Sequence, residues 1–283
     1  NVVAATSGTM TCSFPTEDAN AALVNVTFVK AHTGFRIIPR LTDQSDIVTE
    51  AQDFMRQYSD AEESLANFLE AQILAAVDTA KSQTSNSAFI GAAAKYPSLA
   101  DAIQVAAADV PNFFNDLKSI MQADNFSRNG LEVIGDAQLA SFVNQYAAQG
   151  GANNTNTAYQ FNGYTYTYSN STATSAAAVS TGYVMPQGSI AMIGKVSPDA
   201  AANRVSMSEG IRWSVEQSDL LGVPVELMVK DECADVQLIT GNSDDQNALV
   251  KSYQMAVNCA ILTPYNSNIG ANPGGIKKFD FLP

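Results

Sequence analysis

The sequence predicts an α+β fold in which one very long helix lies beside strands from both ends of the chain. The 39 residues from Ser45 to Gln83 contain neither proline nor glycine. Their apolar side chains recur every three or four residues, which marks an amphipathic helix. Apolar and polar residues alternate at 22–30 and 223–231, and a mostly apolar run covers 248–266. Such runs are typical of strands.

The composition limits the classes of function. The chain has 283 residues and a net charge of −13, which provides no overall attraction for nucleic acid or for an anionic membrane. It contains no run of about 18 apolar residues that could span a membrane as a helix. Charged residues make up only 15% of the chain. The surface is therefore expected to be polar but weakly charged, which favours packing against other chains.

The first part of the chain predicts an arm followed by a hairpin. Residues 1–21 are small and polar without a sustained period, which favours an extended arm. The alternating residues 22–30 and the segment Phe35–Arg40 flank the connection "AHTG", whose glycine can adopt a positive φ angle. We therefore expect a hairpin over 22–44, with its tip near His32.

The long helix is predicted over residues 45–83. Ser45 or Asp46 can cap its N-terminus, and Lys81 lies near its C-terminus, where the helix dipole favours a cation. One side of the helix is strongly acidic and the other is apolar. The apolar side comprises Ala51, Phe54, Tyr58, Ala61, Leu65, Phe68, Gln72 and Ala76, and is widened by Met55, Leu69 and Ile73. At about 1.5 Å per residue the rod would be about 55 Å long.

A mixed region of helices and strands follows. Residues 99–123 predict a second helical region with a break at Pro111, and Gly130–Gly135 predicts a short buried strand. The segment Asp136–Gln149 predicts a helix that its first residue caps and two glycines end. The dipeptide Asn162-Gly163 predicts a hairpin turn.

The sequence contains no recognised catalytic or cofactor-binding motif. Phosphate-binding glycine loops, dinucleotide-binding fingerprints and zinc-protease motifs are all missing. His32 is the only histidine, and a hairpin tip is a poor place for a catalytic base. Cys12, Cys233 and Cys259 are widely spaced and odd in number, which favours buried free thiols over disulfides or a zinc site. We therefore expect no cofactor and no metal.

Two clusters of functional side chains leave alternatives open. The segment 231–235 carries three carboxylates, which could form an acid–base pair or bind Ca²⁺, although a solvated turn after a strand is the simpler interpretation. Tyr164, Tyr166 and Tyr168 share one face of a predicted strand and could stack on sugars or bases. Because no basic residue lies nearby, packing within the sheet is favoured for these tyrosines.

The order of these elements resembles that of the major capsid proteins of tailed bacteriophages. The segments "NGLEVIGDAQLASFVNQYA" and "GYVMPQGSIAMI" are similar to parts of that family's axial domain. The resemblance implies a non-enzymatic subunit that assembles into the hexamers and pentamers of an icosahedral shell around double-stranded DNA. It places the protein in the virion, after assembly in the cytoplasm of the host bacterium. Many such proteins lose an N-terminal segment during maturation, which would also account for a chain that begins at Asn1.

The resemblance also implies partners and a division of the chain. The expected partners are other copies of the chain, decoration and portal proteins, and packaged DNA contacted without sequence specificity, but no membrane. The implied division is an N-terminal arm at 1–21, an extended-loop hairpin at 22–44, a peripheral domain at 45–127 with the spine helix at 45–83, an axial domain at 128–218, and closing strands of both domains at 219–283.

The charge pattern indicates where copies of the chain would meet. No acidic residue lies between Ala19 and Thr42, whereas the following helix is strongly acidic. In a shell, the hairpin of one subunit would lie over the rod of the next, and opposite charges would set its register. The candidate contact residues are Lys30, Arg36 and Arg40 on the hairpin, and Asp53, Asp60, Glu62 and Glu63 on the helix. A solvated hairpin is the alternative, since exposed ion pairs contribute little individually.

Three other classes of protein remain open. An encapsulin-like cargo shell has the same architecture as a phage capsid. A secreted or cell-surface binding protein fits the strands rich in Asn, Thr and Ser, but not the lack of paired cysteines or the long rod. An enzyme that uses the carboxylates of 231–235 is the third alternative, and nothing else in the sequence favours it.

Overall fold

The structure, a computed structural model, describes residues 28–39, 49–99, 101–126, 130–142, 160–161, 163–172, 177–237, 247–264 and 273–283. Their strands form two six-stranded sheets, and one long helix, α1 (Glu50–Ala80), packs against both. The predicted mixture of helices and sheets is confirmed.

The first sheet is antiparallel throughout its described pairings. Its strands are β1 (Phe28–Ile37), β7 (Ala191–Gly194), β8 (Val205–Ser206), β9 (Ile211–Gln217), β10 (Pro224–Ala234) and β11 (Ala248–Leu262). They lie in the order β1-β11-β10-β9-β8, with β7 paired to the end of β11. An antiparallel sheet can pack one face on a core and leave the other in water, and α1 covers only one face here.

The second sheet is mixed. Its strands are β2 (Ile103–Val105), β3 (Leu131–Gly135), β4 (Gln160–Phe161), β5 (Tyr164–Tyr168), β6 (Ser180–Pro186) and β12 (Lys277–Phe281), in the order β2-β12-β6-β3-β5-β4. Helix α2 (Val110–Ala123) covers one face. Phe113 and Phe114 of α2 contact Phe279 and Phe281 of β12 at ring-centroid distances of 5.0–6.3 Å. This aromatic cluster forms the centre of the larger core.

The long helix is shorter than predicted. It has 31 residues, about 46 Å at about 1.5 Å per residue, rather than the 45–83 span. Thr49 is its N-cap: the Thr49 hydroxyl accepts from the Gln52 amide, and the Gln52 side chain accepts from the Thr49 amide in a capping box. The helix ends at Ala80 because Lys81 has an extended backbone. Ser45 and Asp46 lie outside the described residues.

The predicted hairpin tip is wrong. Residues 28–37 form one continuous strand that runs through "AHTG" and pairs with β11, so His32 lies in mid-strand. A Cβ on Gly34 would lie 2.8 Å from the carbonyl oxygen of Tyr253. The glycine therefore permits a close approach of two strands rather than a turn. Residues 22–27 and 40–44 of the predicted hairpin lie outside the described part of the chain.

The region between residues 99 and 163 departs from the prediction at its start, where residues 103–105 of the predicted helical region form the strand β2 and the helix begins only at Val110. It follows the prediction in most places afterwards. Pro111 lies in the first turn of α2, where a proline is tolerated, so it begins a helix rather than breaking one. The strand at 130–135 is confirmed as β3. Asp136 caps the next helix by accepting from the Leu139 amide at 2.9 Å, and residues 137–142 are helical. Gly163 has the expected positive φ, 80°, between β4 and β5.

The two sheets do not follow the predicted boundary at residue 218. The strands β7, β8 and β9 precede it in sequence, yet they belong to the first sheet together with β1, β10 and β11. The division into peripheral and axial domains stays a prediction. Three strands of the segment assigned to the axial domain share a sheet with β1 of the predicted hairpin and with β10 and β11 of the predicted closing strands.

Candidate assembly surface

The buried side of α1 joins the two sheets. Ala61, Leu65 and Leu69 pack in a core with residues of β10 and β11. Two turns later, Val77 packs with Tyr183 of β6 in a separate core. The predicted apolar side is thus correct in its centre, although Phe68 is 43% exposed. One helix fixes both sheets and leaves its opposite side to solvent.

The solvent side of α1 carries the predicted acidic residues. Asp53 is half-buried, and its carboxylate accepts from Arg56 at 2.9 Å and from Gln57 at 2.8 Å. Asp60 and Glu63 are exposed, and their side chains make no hydrogen bond or ion pair with another described residue. These two carboxylates are therefore open to a partner.

Glu62 differs from its neighbours on the helix. Its carboxylate accepts from the Ser218 hydroxyl, in the loop before β10. Glu70 accepts in the same way from the Ser169 hydroxyl, which follows β5. Both acids tie the rod to its own sheets, so Glu62 is a weaker candidate for contact with another copy than Asp60 or Glu63.

The predicted basic residues of β1 lie on the other side of the first sheet. Side chains alternate between the two faces of a strand. Ala31 is buried in the core that α1 shares with the first sheet, and Ile37, on the same face of β1, is also buried. Lys30 and Arg36, on the other face, are exposed. Arg40 lies outside the described residues. Basic and acidic candidates thus occupy opposite outer surfaces of one sheet–helix unit, and the structure does not bring them together within a chain.

The C-terminal end of α1 is anchored by a closed ring of charges. Lys81 contacts Asp78 at 2.8 Å and Asp101 at 2.6 Å, and Lys278 of β12 contacts the same two carboxylates at 3.4 and 2.8 Å. The Tyr183 hydroxyl also donates to Asp78 at 2.7 Å. Hydrogen bonds from Lys278 and Lys81 lower the pKa of Asp101 to about 2. The ring joins the rod to the second sheet.

A fully buried ion pair lies beside this ring. Lys277 of β12 contacts Asp124 at 3.0 Å, and neither side chain is exposed. Lys277 also donates to the Thr84 carbonyl, while Asp124 accepts from the Ser85 hydroxyl at 3.0 Å and the Asn86 amide at 2.6 Å. Burial lowers the pKa of Lys277, and Asp124 partly offsets this effect. The pair fixes the segment that follows the rod.

The carboxylates at 231–235 are used in ordinary surface contacts. Asp231 contacts Arg212 at 2.5 Å, Glu232 contacts Lys230 at 2.5 Å, and Asp235 accepts from the amide of Gln237 at 3.0 Å. In the described ranges no three His, Cys, Asp or Glu side chains are grouped to hold a metal. No described helix is long and apolar enough to cross a membrane.

The predicted packing of the three tyrosines and the predicted burial of the cysteines are each confirmed in part. Tyr164 is buried and donates to the Phe114 carbonyl at 2.6 Å, and Tyr166 donates to the Asp136 carbonyl at 2.8 Å. Packing is therefore confirmed for these two tyrosines. Cys259 is buried and free, as expected, whereas Cys233 is exposed. Cys12 lies outside the described residues.

Two groups of charged side chains were not predicted from the sequence. The charge ring and the buried pair both depend on "IKKFDF" near the end of the chain, in which two lysines stand inside an apolar strand. Consecutive side chains point to opposite faces of a strand, and both lysines are nonetheless buried. Two adjacent lysines between Ile276 and Phe279 were the signal that each of them has an acidic partner.

Comparison with known proteins gives similar structures but no similar sequence. No protein-family model and no curated protein matches the chain. An encapsulin complex from Synechococcus elongatus PCC 7942 is similar with a TM-score of 0.45 and 10% identity, over 89% of this chain and 73% of that one. A structure from Mycobacterium phage Bobi is similar with a TM-score of 0.46 and 10% identity, over 91% and 73%.

The mature capsid of bacteriophage PhiM1 is also similar, with a TM-score of 0.45 and 10% identity, over 98% of this chain and 80% of that one. These structures include a mature phage capsid and an encapsulin, the two kinds of shell that the sequence resembles.

Proposed function

We propose that this chain is the subunit of a self-assembling protein shell, of the kind formed by the major capsid proteins of tailed bacteriophages. The observation that carries the proposal is the placement of the candidate contact residues. Lys30 and Arg36 lie on one outer surface of the sheet–helix unit, and Asp60 and Glu63 lie on the other. A contact between these surfaces must therefore join two copies.

Such a contact has a definite symmetry. Because it joins two different surfaces, it is heterologous, and repeated heterologous contacts form closed rings or open arrays rather than simple two-fold dimers. Hexameric and pentameric rings are the closed forms that an icosahedral shell needs. The rod, which holds two sheets at a fixed separation, provides the rigid body that such rings require.

The remaining parts of the proposal follow from shell formation. We place the subunit in a virion assembled in the host cytoplasm, with decoration and portal proteins as further partners and only non-specific contact with packaged DNA. We propose no catalytic role. An encapsulin-like shell is the neighbouring alternative, and the contents of the particles distinguish the two.

The test is the mass and the content of the purified protein. We expect closed particles in the megadalton range by light scattering and by negative-stain microscopy at 0.15 M salt. Nucleic acid protected inside particles from an infected host would favour the capsid, and a protein cargo would favour the encapsulin-like shell. A stable 30.0 kDa monomer under all assembly conditions would contradict both.

A further inference from the structure

A pocket lies where α1 meets both sheets. Its volume is about 370 Å³, within the range of about 300–1,000 Å³ that is usual for small-molecule sites. The rod contributes Ala66, Leu69 and Ile73, the first sheet contributes Met192 of β7, and the second sheet contributes Ile134 of β3. The walls are therefore mostly apolar and come from three separate parts of the fold.

The pocket is open to solvent along an apolar rim. Leu220, in the loop before β10, and Tyr168, at the end of β5, both line the pocket, and both are exposed. A single exposed apolar side chain needs no explanation, but exposed apolar groups that border a cavity are typical of a binding site. The pocket can therefore admit a ligand from solvent.

One carboxylate stands among these apolar groups. Glu70 is the only charged side chain among the described residues that line the pocket, and it is half-buried. One of its oxygens accepts from the hydroxyl of Ser169, which is buried and holds the carboxylate in place. The second oxygen makes no hydrogen bond or ion pair with any described residue. It is therefore available to a ligand in the pocket.

The chemistry of the pocket indicates the class of ligand. The bond between Glu70 and Ser169 ties the rod to the end of β5, and this structural role uses only one carboxylate oxygen. A cation placed at the other oxygen is attracted more strongly than it would be in water, because the apolar walls lower the local dielectric constant. A matching ligand therefore has an apolar body and one cationic hydrogen-bond donor.

We propose that this pocket binds a small amphiphilic cation, in which an alkyl chain carries a primary ammonium group. The alkyl chain packs against Leu69, Ile73 and Ile134, and the ammonium donates to the second oxygen of Glu70. Because the walls come from α1 and from both sheets, the bound ligand holds the three parts together. This inference goes beyond the proposed shell function and does not depend on it.

The test is calorimetric titration of the full-length chain with n-octylammonium, n-octanol and octanoate, each below the concentration at which it forms micelles. The three probes share an alkyl chain and differ in the head group. We expect one n-octylammonium to bind per chain, about tenfold more tightly than n-octanol, since hydrogen bonds between charged groups are the stronger ones. Octanoate should not bind, because its carboxylate repels that of Glu70. Each methylene removed from the ammonium probe should weaken binding about fourfold.

Two variants with matched controls locate the site. Glu70→Gln keeps an acceptor for Ser169 but removes the charge, so n-octylammonium should then bind no more tightly than n-octanol. Asp60→Asn removes an exposed carboxylate about 15 Å earlier along the helix and should leave the preference for the ammonium unchanged. Ala66→Leu narrows the pocket and should weaken both probes about tenfold, whereas Ala71→Leu, at an exposed position of α1, should not. Circular dichroism reports whether each variant is folded.

The outcomes decide the inference without reference to shell formation. If no probe binds the unchanged chain, or if n-octanol binds as tightly as n-octylammonium, the pocket is not a site for a cation. A preference for the ammonium that survives in Glu70→Gln overturns the inference as well, and this result is decisive even if Ala66→Leu does not fold. Several weak sites per chain, or binding that a folded Ala66→Leu leaves unchanged, would show that the probe binds elsewhere and would also overturn it.

Discussion

Removing Asp124 should be among the most damaging single changes in the described part of the chain. The change Asp124→Ala leaves the Lys277 ammonium buried, with the Thr84 carbonyl as its remaining bonded partner. Breaking a buried pair by deleting one partner costs about 3–5 kcal/mol, because an uncompensated charge stays inside. We therefore expect the free energy of unfolding to fall by that amount at pH 7.

The opposite deletion should cost less. In Lys277→Met the Asp124 carboxylate keeps its bonds from the Ser85 hydroxyl and the Asn86 amide. The change removes two hydrogen bonds of the ammonium, to Asp124 and to the Thr84 carbonyl. Because the carboxylate that stays buried still accepts two hydrogen bonds, we expect a loss near the lower end of about 3–5 kcal/mol. This difference between the two variants follows directly from the unequal number of partners on each side of the pair.

The pH dependence of the free energy of unfolding tests the same buried ion pair in a second way. Burial lowers the pKa of Lys277 below its usual 10.5, and Asp124 opposes this shift, so the pKa falls further in Asp124→Ala. At pH values between the folded-state and the unfolded-state pKa of Lys277, the unfolded chain binds more protons than the folded one. In this range the free energy of unfolding rises with pH. The deficit of Asp124→Ala should therefore shrink between pH 7 and pH 10.

The assay is urea unfolding, followed by circular dichroism, of subunits kept below the concentration at which they associate. The reasoning is refuted if Asp124→Ala costs less than Lys277→Met at pH 7. It is equally refuted if the deficit of Asp124→Ala stays constant or grows as the pH is raised to 10.

Three further changes test other parts of the structure. Leu65→Ala removes a buried contact between the rod and the first sheet and should cost about 2–5 kcal/mol in urea unfolding. Gly34→Ala should cost about 1–3 kcal/mol, since its Cβ would lie 2.8 Å from the Tyr253 carbonyl oxygen. The pKa of Asp101 is lowered to about 2 in the folded chain, so its ionised carboxylate stabilises the fold above pH 4. This stabilisation is lost as the pH falls towards 2. Asp101→Asn should therefore show a shallower acid loss of stability.

Matched changes provide the controls for these three measurements. Met55→Ala is a truncation at a 65% exposed position of the same helix and should lie within about 0.5 kcal/mol of the unchanged chain. A Cβ on Gly91 meets only an ordinary contact at 3.7 Å, so Gly91→Ala should be tolerated. Asp199→Asn removes the carboxylate of an exposed ion pair with Arg204, which contributes little to stability, and is the matched loss of one surface charge. Equal effects of test and control would contradict the assigned contacts.

The long rod was the part of the fold that the sequence predicted best. Its apolar stripe depends on local spacing alone, and Ala61, Leu65 and Leu69 are buried as that spacing requires. The N-terminal end of the rod was harder to predict than its apolar stripe, because Ser45, Asp46 and Thr49 all have side chains that can cap a helix. The choice of Thr49 depends on Gln52, which completes the capping box three residues later.

The strand pairing of β1 was not accessible from local sequence. "AHTG" between two alternating runs has the composition of a turn, and only the presence of β11 explains its extended form. Gly34 is needed because Tyr253 lies close across the sheet, more than two hundred residues away in the chain. A glycine that permits a close contact and a glycine that permits a turn look alike in sequence.

The charge pattern predicted a basic and an acidic group of residues but not where the two groups lie relative to each other. Lys30 and Arg36 were correctly grouped as basic, and Asp60 and Glu63 as acidic, because charge can be read from composition. Their placement on opposite sides of one unit depends on the register of β1 against β11 and on which side of the sheet α1 covers. Glu62 was grouped with the acids for the same reason, although its bond to Ser218 depends on a distant loop.

The central claim is that copies of this chain build a closed shell through head-to-tail contacts. Its most direct test is the mass of the purified, unmodified protein at 0.15 M salt, measured by light scattering together with electron microscopy of the same sample. The account predicts uniform closed particles of megadalton mass that contain rings of five and six copies. A homogeneous monomer or a closed two-fold dimer across a wide range of concentration and salt would contradict it.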